Sequence, residues 1–301
     1  MVLAPHFSLT WFSRTVGVEL KTLERVATDI KKHYRTTSLP KTTGGRRQIE
    51  IPSGLLKHIQ TQIVHRILRT KQFSAYVHGS APGRSPRTNA EQHVGKHVVV
   101  TVDIRSFFPS VTYKTVYSIW CDSFACGPDL SRLLTRISTH KGCLPQGAPT
   151  SSYLANWALA PLDDVLAPAA TALDVSYTRF VDDICLSGDR APELVSTLIK
   201  ELATLGYAVN RDKVKVRGPN SSRTVTGYSV SGKTLPSVPQ TKRKQLIADI
   251  RKATDSANGL PPSATVLASL KGRIAHVRPT NPGSAKRFER ALSNRRRRPT
   301  D

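Results

Sequence analysis

Apolar positions recur at helical spacing along several stretches of the chain. Residues 19–35 place Leu20, Leu23, Val26, Ala27 and Ile30 at i, i+3 and i+4 intervals, which predicts an amphipathic helix. Residues 53–70 repeat the pattern with Leu55, Leu56, Ile59, Ile63, Ile67 and Leu68. Residues 150–167 and 191–205 also read as helices, the second ended by Gly206. Other stretches favour strands. Val98 to Ile104 is rich in β-branched residues and predicts a buried strand. Val175 to Leu186 predicts a hairpin with two carboxylates at its tip. Leu39 to Pro52 predicts another, turning at Gly44-Gly45. Short strands follow to about Val238. From Gln240 onward the pattern is helical and basic, with Leu246, Ile247 and Ile250 as its stripe. The order strand, helix, hairpin, helix, strand is an α+β pattern: a small antiparallel sheet backed by helices, like a split βαβ or ferredoxin-like unit.

At 301 residues the chain is long enough for one large domain or two to three packed subdomains, and 39% hydrophobic residues suffice for a core. Charge changes the picture more. Lys plus Arg number 45 against 21 Asp plus Glu, a net charge of 45 − 21 = +24. This balance points to nucleic acid as the partner. Anionic membranes would attract the same charge, but no apolar run approaches the ~20 residues needed to span a bilayer. Phe7, Leu9, Trp11 and Phe12 are interleaved with polar residues, unlike the core of a signal peptide, so the cytoplasm is the expected location. Cys121, Cys126, Cys143 and Cys185 form no Cys-x-x-Cys pair and are expected to be reduced thiols.

Two carboxylate sites follow strand-like runs. Asp103 ends Val-Val-Val-Thr-Val-Asp, and Asp182-Asp183 lies between Phe180-Val181 and Ile184-Cys185-Leu186. Adjacent carboxylates in apolar surroundings repel each other unless a cation intervenes. A divalent metal is the usual compensation, and magnesium takes oxygen ligands, often one or two protein carboxylates with substrate phosphates. Asp163-Asp164 is also paired, but it falls in the helical pattern Leu154 to Leu166, where a solvated helix face accounts for it.

The residues around these carboxylates resemble the motifs of reverse transcriptases. Phe180-Val181-Asp182-Asp183 is similar to their Tyr-x-Asp-Asp box, with phenylalanine in place of the tyrosine. Asp103 to Ser110 resembles their first metal-binding motif, and Leu144 to Ser151 their Gln-Gly motif, with Asn156 in the helix that follows. Lys41-x-x-Gly44-Gly45-x-Arg47-x-Ile49 resembles the fingers hairpin, and Gly206-Tyr207 to Asn210 with Lys213 a later motif ending in lysine. Together these signals span roughly residues 39–239. Two more elements resemble the bacterial retron type: Asn89-Ala90-Glu91-Gln92-His93 and Val225-Thr226-Gly227. His78-Gly79 and Gly83-Arg84-Ser85 also fit that type.

The resemblance implies a right-hand polymerase: fingers over 1–95 with part of 110–145, a ferredoxin-like palm over 96–235, and a helical basic thumb and tail over 236–301. It implies two Mg2+ ions on Asp103, Asp182, Asp183 and the Ile104 backbone, with Lys213 as general acid. Lys41, Arg46 and Arg47 would meet the incoming triphosphate. Phe108 would be the steric gate that favours deoxynucleotides, and Gln146 and Gly147 would shape the pocket. Asn89, His93, Val225, Thr226 and Gly227 would contact the RNA or its primer end, with a buried structural histidine the equal alternative for His93. By its charge alone, the tail Arg295 to Arg298 is either disordered or phosphate-binding, adding affinity without sequence readout.

The activity implied is copying of a cognate structured noncoding RNA into single-stranded DNA (msDNA). Priming would start from an internal guanosine 2′-hydroxyl, the substrates would be dNTPs, and a separate effector protein would act beside it in antiphage defence. The alternatives are another bacterial reverse transcriptase, of group II intron or template-independent defence type, or a catalytically idle RNA-binding scaffold.

Overall fold

The computed structural model describes residues 7–40, 44–232, 234–254 and 262–293. The chain divides into two compact units, Met1–Ser85 with Val100–Val216, and Pro86–Val99 with Arg217–Asp301.

The first unit opens with α1 (Leu9–Val16), where the Ser8 hydroxyl caps the helix by accepting from the Trp11 N–H at 3.0 Å. Helix α2 (Leu20–Thr28) buries Leu23, Val26 and Ala27, the predicted stripe, but stops well before residue 35. A 3-10 turn at Ile30–His33 leads instead into strand β1 (Tyr34–Pro40). The reason is pairing. Tyr34, Thr36 and Thr37 suit a strand, and β2 (Arg46–Pro52) captures them in register from Tyr34↔Pro52 to Pro40↔Arg46. The predicted hairpin is therefore real and longer on its first arm. Its turn uses Gly44 and Gly45 at φ 88° and 79°.

Helix α3 (Gly54–Arg66) follows with Leu56, Ile59 and Ile63 buried. Helix α4 (Pro86–Glu91) belongs to the second unit. Strand β3 (Val99–Asp103) is the predicted buried strand. Three helices come next: α5 (Phe107–Ser110), α6 (Tyr113–Ser118) and α7 (Pro128–Ser138). The single helix expected at 150–167 is two, α8 (Ser151–Ala158) and α9 (Ala160–Ala172), with Pro161 in the first turn of α9, where a missing N–H costs nothing.

Strands β4 (Ser176–Phe180) and β5 (Asp183–Ser187) make the second predicted hairpin. Helix α10 (Val195–Thr204) and the short strand β6 (Lys215–Arg217) complete the unit. The sheet order is β4-β5-β3-β6, so β5 and β3 lie at its centre. Helices and sheet share one apolar core, in which Phe12, Leu23, Ile59, Leu134, Leu154 and Leu186 have no exposed surface.

The second unit packs α4 against the two-stranded ribbon β7 (Thr224–Val225) and β8 (Tyr228–Ser229). Helices α11 (Gln240–Thr254), α12 (Ala264–Val277) and α13 (Pro282–Ser293) pack on one another around Leu246, Ile250, Ile274 and Phe288. Lys41 and the basic tail Arg295 to Arg298 lie outside the described residues. Among those described, no helix is long and apolar enough to cross a membrane. All four cysteines are free thiols.

Candidate active site

The two predicted carboxylate sites fall on the two central strands. Asp103 is the last residue of β3, and Asp182-Asp183 lies at the turn between β4 and β5. Phe180 pairs with Asp183, so Val181 and Asp182 form a two-residue turn. Val181 adopts φ 59°, a left-handed conformation costly for a β-branched residue. The segment before α4 holds that turn. The His78 N–H donates to the Arg179 carbonyl at 2.8 Å and the Arg179 N–H to the Tyr76 carbonyl at 2.9 Å. Gly79 lies directly beneath the turn. A Cβ there would sit 2.5 Å from the Val181 nitrogen and 2.6 Å from its Cγ2. Only glycine allows that approach.

The carboxylates feel one another. Asp182 is pushed up to about 6, first by burial and then by the charge of Asp183, with a smaller push from Asp103; Arg47 and its own backbone act the other way. Asp183 is raised as well, although it is exposed: it loses hydration on its inner side and faces Asp103, while Lys213 and Arg47 oppose the rise. Lys213 Nζ donates to Asp103 Oδ2 at 2.8 Å. The arrangement is an anionic group held against two cations. Among the described residues, no three His, Cys, Asp or Glu side chains are gathered closely enough to enclose an ion. The donors are nevertheless all carboxylate oxygens whose mutual repulsion a hard divalent cation would relieve, and magnesium completes such a set with substrate oxygens, so it fits the residues present.

Ile104 follows Asp103 and bridges Val209, flanked by bonds from the Arg105 N–H to the Ala208 carbonyl and from the Asn210 N–H to the Asp103 carbonyl. Ile104 is thus in a non-hydrogen-bonded pair, and its own carbonyl points to the opposite edge, the side of β5. Phe107 is buried edge-on against Tyr207, with centroids 5.3 Å apart, whereas its neighbour Phe108 is only half-buried. In the first hairpin, the Arg46 guanidinium braces the turn by donating to the Ser38 hydroxyl and carbonyl at 2.7 and 2.9 Å. Arg47 is exposed, and its charge reaches Asp182 and Asp183. Gln146 and Gly147 meet the same hairpin: the Glu50 N–H donates to the Gln146 carbonyl at 2.9 Å. Gly147 has φ 126°, and a Cβ on it would fall 2.8 Å from Ile49 Cγ2.

The solvated-face reading of Asp163-Asp164 holds for Asp164 alone. Asp163 is 5% exposed and accepts from Arg179 Nε and Nη2 at 2.8 and 2.7 Å, and from the Tyr177 hydroxyl at 2.7 Å. The same guanidinium donates to the Asn156 side chain and backbone carbonyl, and Asn156 Nδ2 donates to the Gly79 carbonyl at 2.6 Å. Arg179 is thus a brace for the carboxylate turn that the sequence reading overlooked. The available signal was a lone arginine in the strand of a hairpin expected at the core, since a buried guanidinium demands a partner.

The two other predicted elements meet in the second unit. The Thr226 hydroxyl donates to the Pro86 carbonyl at 2.6 Å, and Thr226 and Gly227 have φ 44° and 90°. Arg223 donates to the Lys96 and His97 carbonyls at 3.1 and 2.8 Å. Asn89 and His93 have no exposed surface and Val225 has 2%. Of the five expected RNA contacts, only Thr226 and Gly227 reach the surface, because the others form the packing between α4 and the ribbon.

A strand-borne carboxylate pair beside a second strand-end carboxylate, with a basic hairpin facing them, defines a nucleotidyl-transfer class of site. The family model for reverse transcriptase (RNA-dependent DNA polymerase) matches residues 31–230. The retron Mx65 reverse transcriptase of Myxococcus xanthus is 31% identical, over 86% of this chain and 64% of its own length. The retron Mx162 enzyme of the same organism is also 31% identical, over 86% and 60%. The retron Ec86 reverse transcriptase of Escherichia coli is 30% identical over 79% of this chain and 75% of that protein. The chain belongs to the reverse transcriptase family, as a retron-type member. It spans about three-fifths of the length of the two Myxococcus relatives.

Proposed function

We propose that this chain is an RNA-directed DNA polymerase of retron type that copies part of a cognate structured noncoding RNA into single-stranded DNA. The observation that carries the reading is the convergence of Asp103, Asp182 and Asp183 at the ends of the central strands β3 and β5, with the Lys213 ammonium on Asp103 and the charge of Arg47 acting on the pair. A protein without catalysis has no use for such a cluster. In this reading, residues 1–95 with part of 110–145 act as fingers, 96–235 as palm and 236–301 as thumb and tail.

Asp103, Asp182, Asp183 and the Ile104 carbonyl would hold two Mg2+ ions. Bound magnesium supplies the charge that activates the attacking 3′-hydroxyl and stabilises the leaving pyrophosphate. The chain's own residues do the rest. Arg47, with Lys41 and Arg46, receives the triphosphate, and its planar fork suits phosphate oxygens. Phe108 excludes a 2′-hydroxyl from the sugar position. Gln146 and Gly147 line the pocket against the hairpin. Lys213 gives a proton to the departing pyrophosphate as general acid. Thr226 and Gly227, supported by Asn89, His93 and Val225, contact the RNA.

DNA synthesis would be primed by a 2′-hydroxyl of an internal guanosine, leaving a branched RNA–DNA product (msDNA) that acts with a separate effector protein in antiphage defence in the cytoplasm. The test is to express the chain with its upstream flanking DNA and to extract nucleic acid from the purified protein. The extract is treated with RNase and debranching enzyme and compared with an Asp182→Ala, Asp183→Ala control. A discrete DNA that shifts on debranching and is absent from the control is the expected result. RNA alone in both samples would sink the polymerase reading. DNA of random length and sequence would keep the polymerase and remove the proposed copying of one cognate RNA into a branched product.

A further inference from the structure

Glu50 lies at the base of the β1–β2 hairpin, and it is pinned from three directions. Its Oε1 accepts from His140 Nδ1 at 2.9 Å and from Lys141 Nζ at 3.0 Å. Its backbone N–H donates to the Gln146 carbonyl at 2.9 Å. The Glu50 side chain is 14% exposed and His140 5%, so the pair is largely dry, while Lys141 at 61% closes it from the solvent side. Removing one partner of such a pair leaves a poorly hydrated charge without compensation.

The partners are themselves built in. Lys141 and Gly142 form a tight turn at φ 53° and 80°, closed by paired bonds between His140 and Cys143 at 2.9 and 3.2 Å. Lysine is an unusual choice for a left-handed position, where Asn or Gly is preferred. Its ammonium on Glu50 gives a reason for it. Tyr34, from β1, stacks on the His140 ring with centroids 4.4 Å apart, and its hydroxyl accepts from Gln60 Nε2 at 2.8 Å. Beyond the turn, the Leu144 N–H donates to the Val111 carbonyl at 3.0 Å, and the Tyr113 N–H to the Gly142 carbonyl at 2.8 Å. The Glu50 carboxylate therefore ties the strand that bears Arg47 to the His140-Lys141 turn, and backbone bonds join that strand to Gln146 and the turn to the segment that follows Phe108.

We propose that Glu50, clamped by His140 and Lys141, is a positioning residue for the incoming deoxynucleoside triphosphate. It fixes the hairpin base against the Gln146-Gly147 loop so that Arg47 is presented to the triphosphate. Glu50 itself touches no substrate. The clamp explains why Gly147 needs a bare Cα: the hairpin is drawn down onto it, with Glu50 O only 3.1 Å from where a Cβ would be. This inference rests on the polymerase reading, since it concerns the nucleotide of that reaction.

The test is steady-state extension of an oligo(dT) primer on poly(rA) by the full chain, with dTTP varied. Lys141→Met and Glu50→Gln are each expected to raise KM for dTTP about 10-fold while kcat stays within about 3-fold, the signature of weakened nucleotide placement. Lys141→Arg, which keeps the ion pair, restores the wild-type KM. If Glu50 acts through Arg47, Glu50→Gln adds little to the KM defect of Arg47→Ala, whereas independent roles would multiply. Lys141 is solvent-facing, so Lys141→Met folds even if Glu50→Gln does not. An unchanged KM in a folded Lys141→Met, or full multiplication of Glu50→Gln with Arg47→Ala, overturns the proposal while leaving the polymerase intact. A wild-type chain that incorporates no dTTP here and yields no DNA with its upstream flanking DNA overturns both.

Discussion

Arg179 and Asp163 form a two-pronged ion pair behind the carboxylate turn, with side chains 1% and 6% exposed. The guanidinium also takes up both oxygens of Asn156, so its donors are matched by acceptors and its burial is tolerable. Truncating one partner leaves a buried charge alone. Arg179→Met is expected to cost about 3–5 kcal/mol in urea denaturation, whereas Arg179→Met with Asp163→Leu recovers most of the loss. Since Arg179 sits on β4, which leads into the turn that holds Asp182, DNA synthesis should fall even in the repaired double variant. Full activity in that variant would show that the brace serves stability alone.

The carboxylate strands, both hairpins and the basic helical end were legible because each is a local pattern: a β-branched run, a Gly-Gly turn, an apolar stripe. Glu50 and Arg179 were not. Each is a charge whose partner lies far along the chain, at His140 and Asp163 respectively, and nothing near it in sequence names that partner. Helix α7 was missed although Leu130, Leu133, Leu134 and Ile137 are all buried at helical spacing, so there the signal existed. The end of α2 was misplaced because residues 30–35 continue a helical pattern until the hairpin claims Tyr34 and Arg35 for pairing. For His93 the buried alternative was open from the sequence, whereas the motif pointed Asn89 to RNA and only the packing of α4 on the ribbon reveals that it is enclosed.

Asp182 makes the metal-free protein pH-dependent. Its folded value of about 6 lies above the ordinary 3.8, so the folded state holds this proton more tightly than the unfolded chain does. The contribution is favourable below about 4 and is lost as pH rises through 6. Asp182→Asn removes the charge, and in EDTA at pH 7 it is expected to be more stable than wild type by roughly 1–3 kcal/mol. The gap should close as pH falls to about 4. Magnesium should raise the wild-type melting temperature and leave the variant nearly unmoved. Equal melting temperatures for the two proteins at pH 7 in EDTA would count against the raised Asp182 value, which burial sets first and the Asp183 charge second.

Gly79→Ala is the sharpest steric test of the turn. A Cβ within 2.6 Å of Val181 Cγ2 and closer still to its backbone nitrogen forces the turn to shift. Such overpacking typically costs about 1–3 kcal/mol. Because Asp182 sits in that turn, activity is expected to fall more than stability does. Thermal melting and primer extension, measured on the same preparation, check the ratio. A variant with wild-type extension would mean that the turn position is not critical.

Lys213 gives the opposite balance. Its ion pair with Asp103 is half in water, with the lysine side chain 49% exposed, so Lys213→Met should change stability by no more than about 1 kcal/mol. If the ammonium delivers the proton to pyrophosphate, kcat should drop roughly 100-fold and the alkaline limb of the pH–rate profile should disappear. A kcat loss with an unaltered profile would assign Lys213 to charge balance at Asp103 rather than to proton transfer.

Asn89 is enclosed in the second unit with no exposed surface, and among the described residues neither its carbonyl oxygen nor its amide nitrogen has a hydrogen-bond partner. A buried amide left in that state costs about 1–3 kcal/mol. Packing alone would favour an apolar residue of similar size there, so Asn89→Leu is expected to raise the melting temperature. If the amide is kept for RNA recognition, the same variant should yield much less DNA from the cognate RNA. Its extension of a generic poly(rA) template should match wild type. Stability that rises while both syntheses stay normal would leave Asn89 without a role in RNA. A fall in stability would mean that the amide is satisfied in solution and belongs to the packing of α4 on the Val225–Gly227 ribbon.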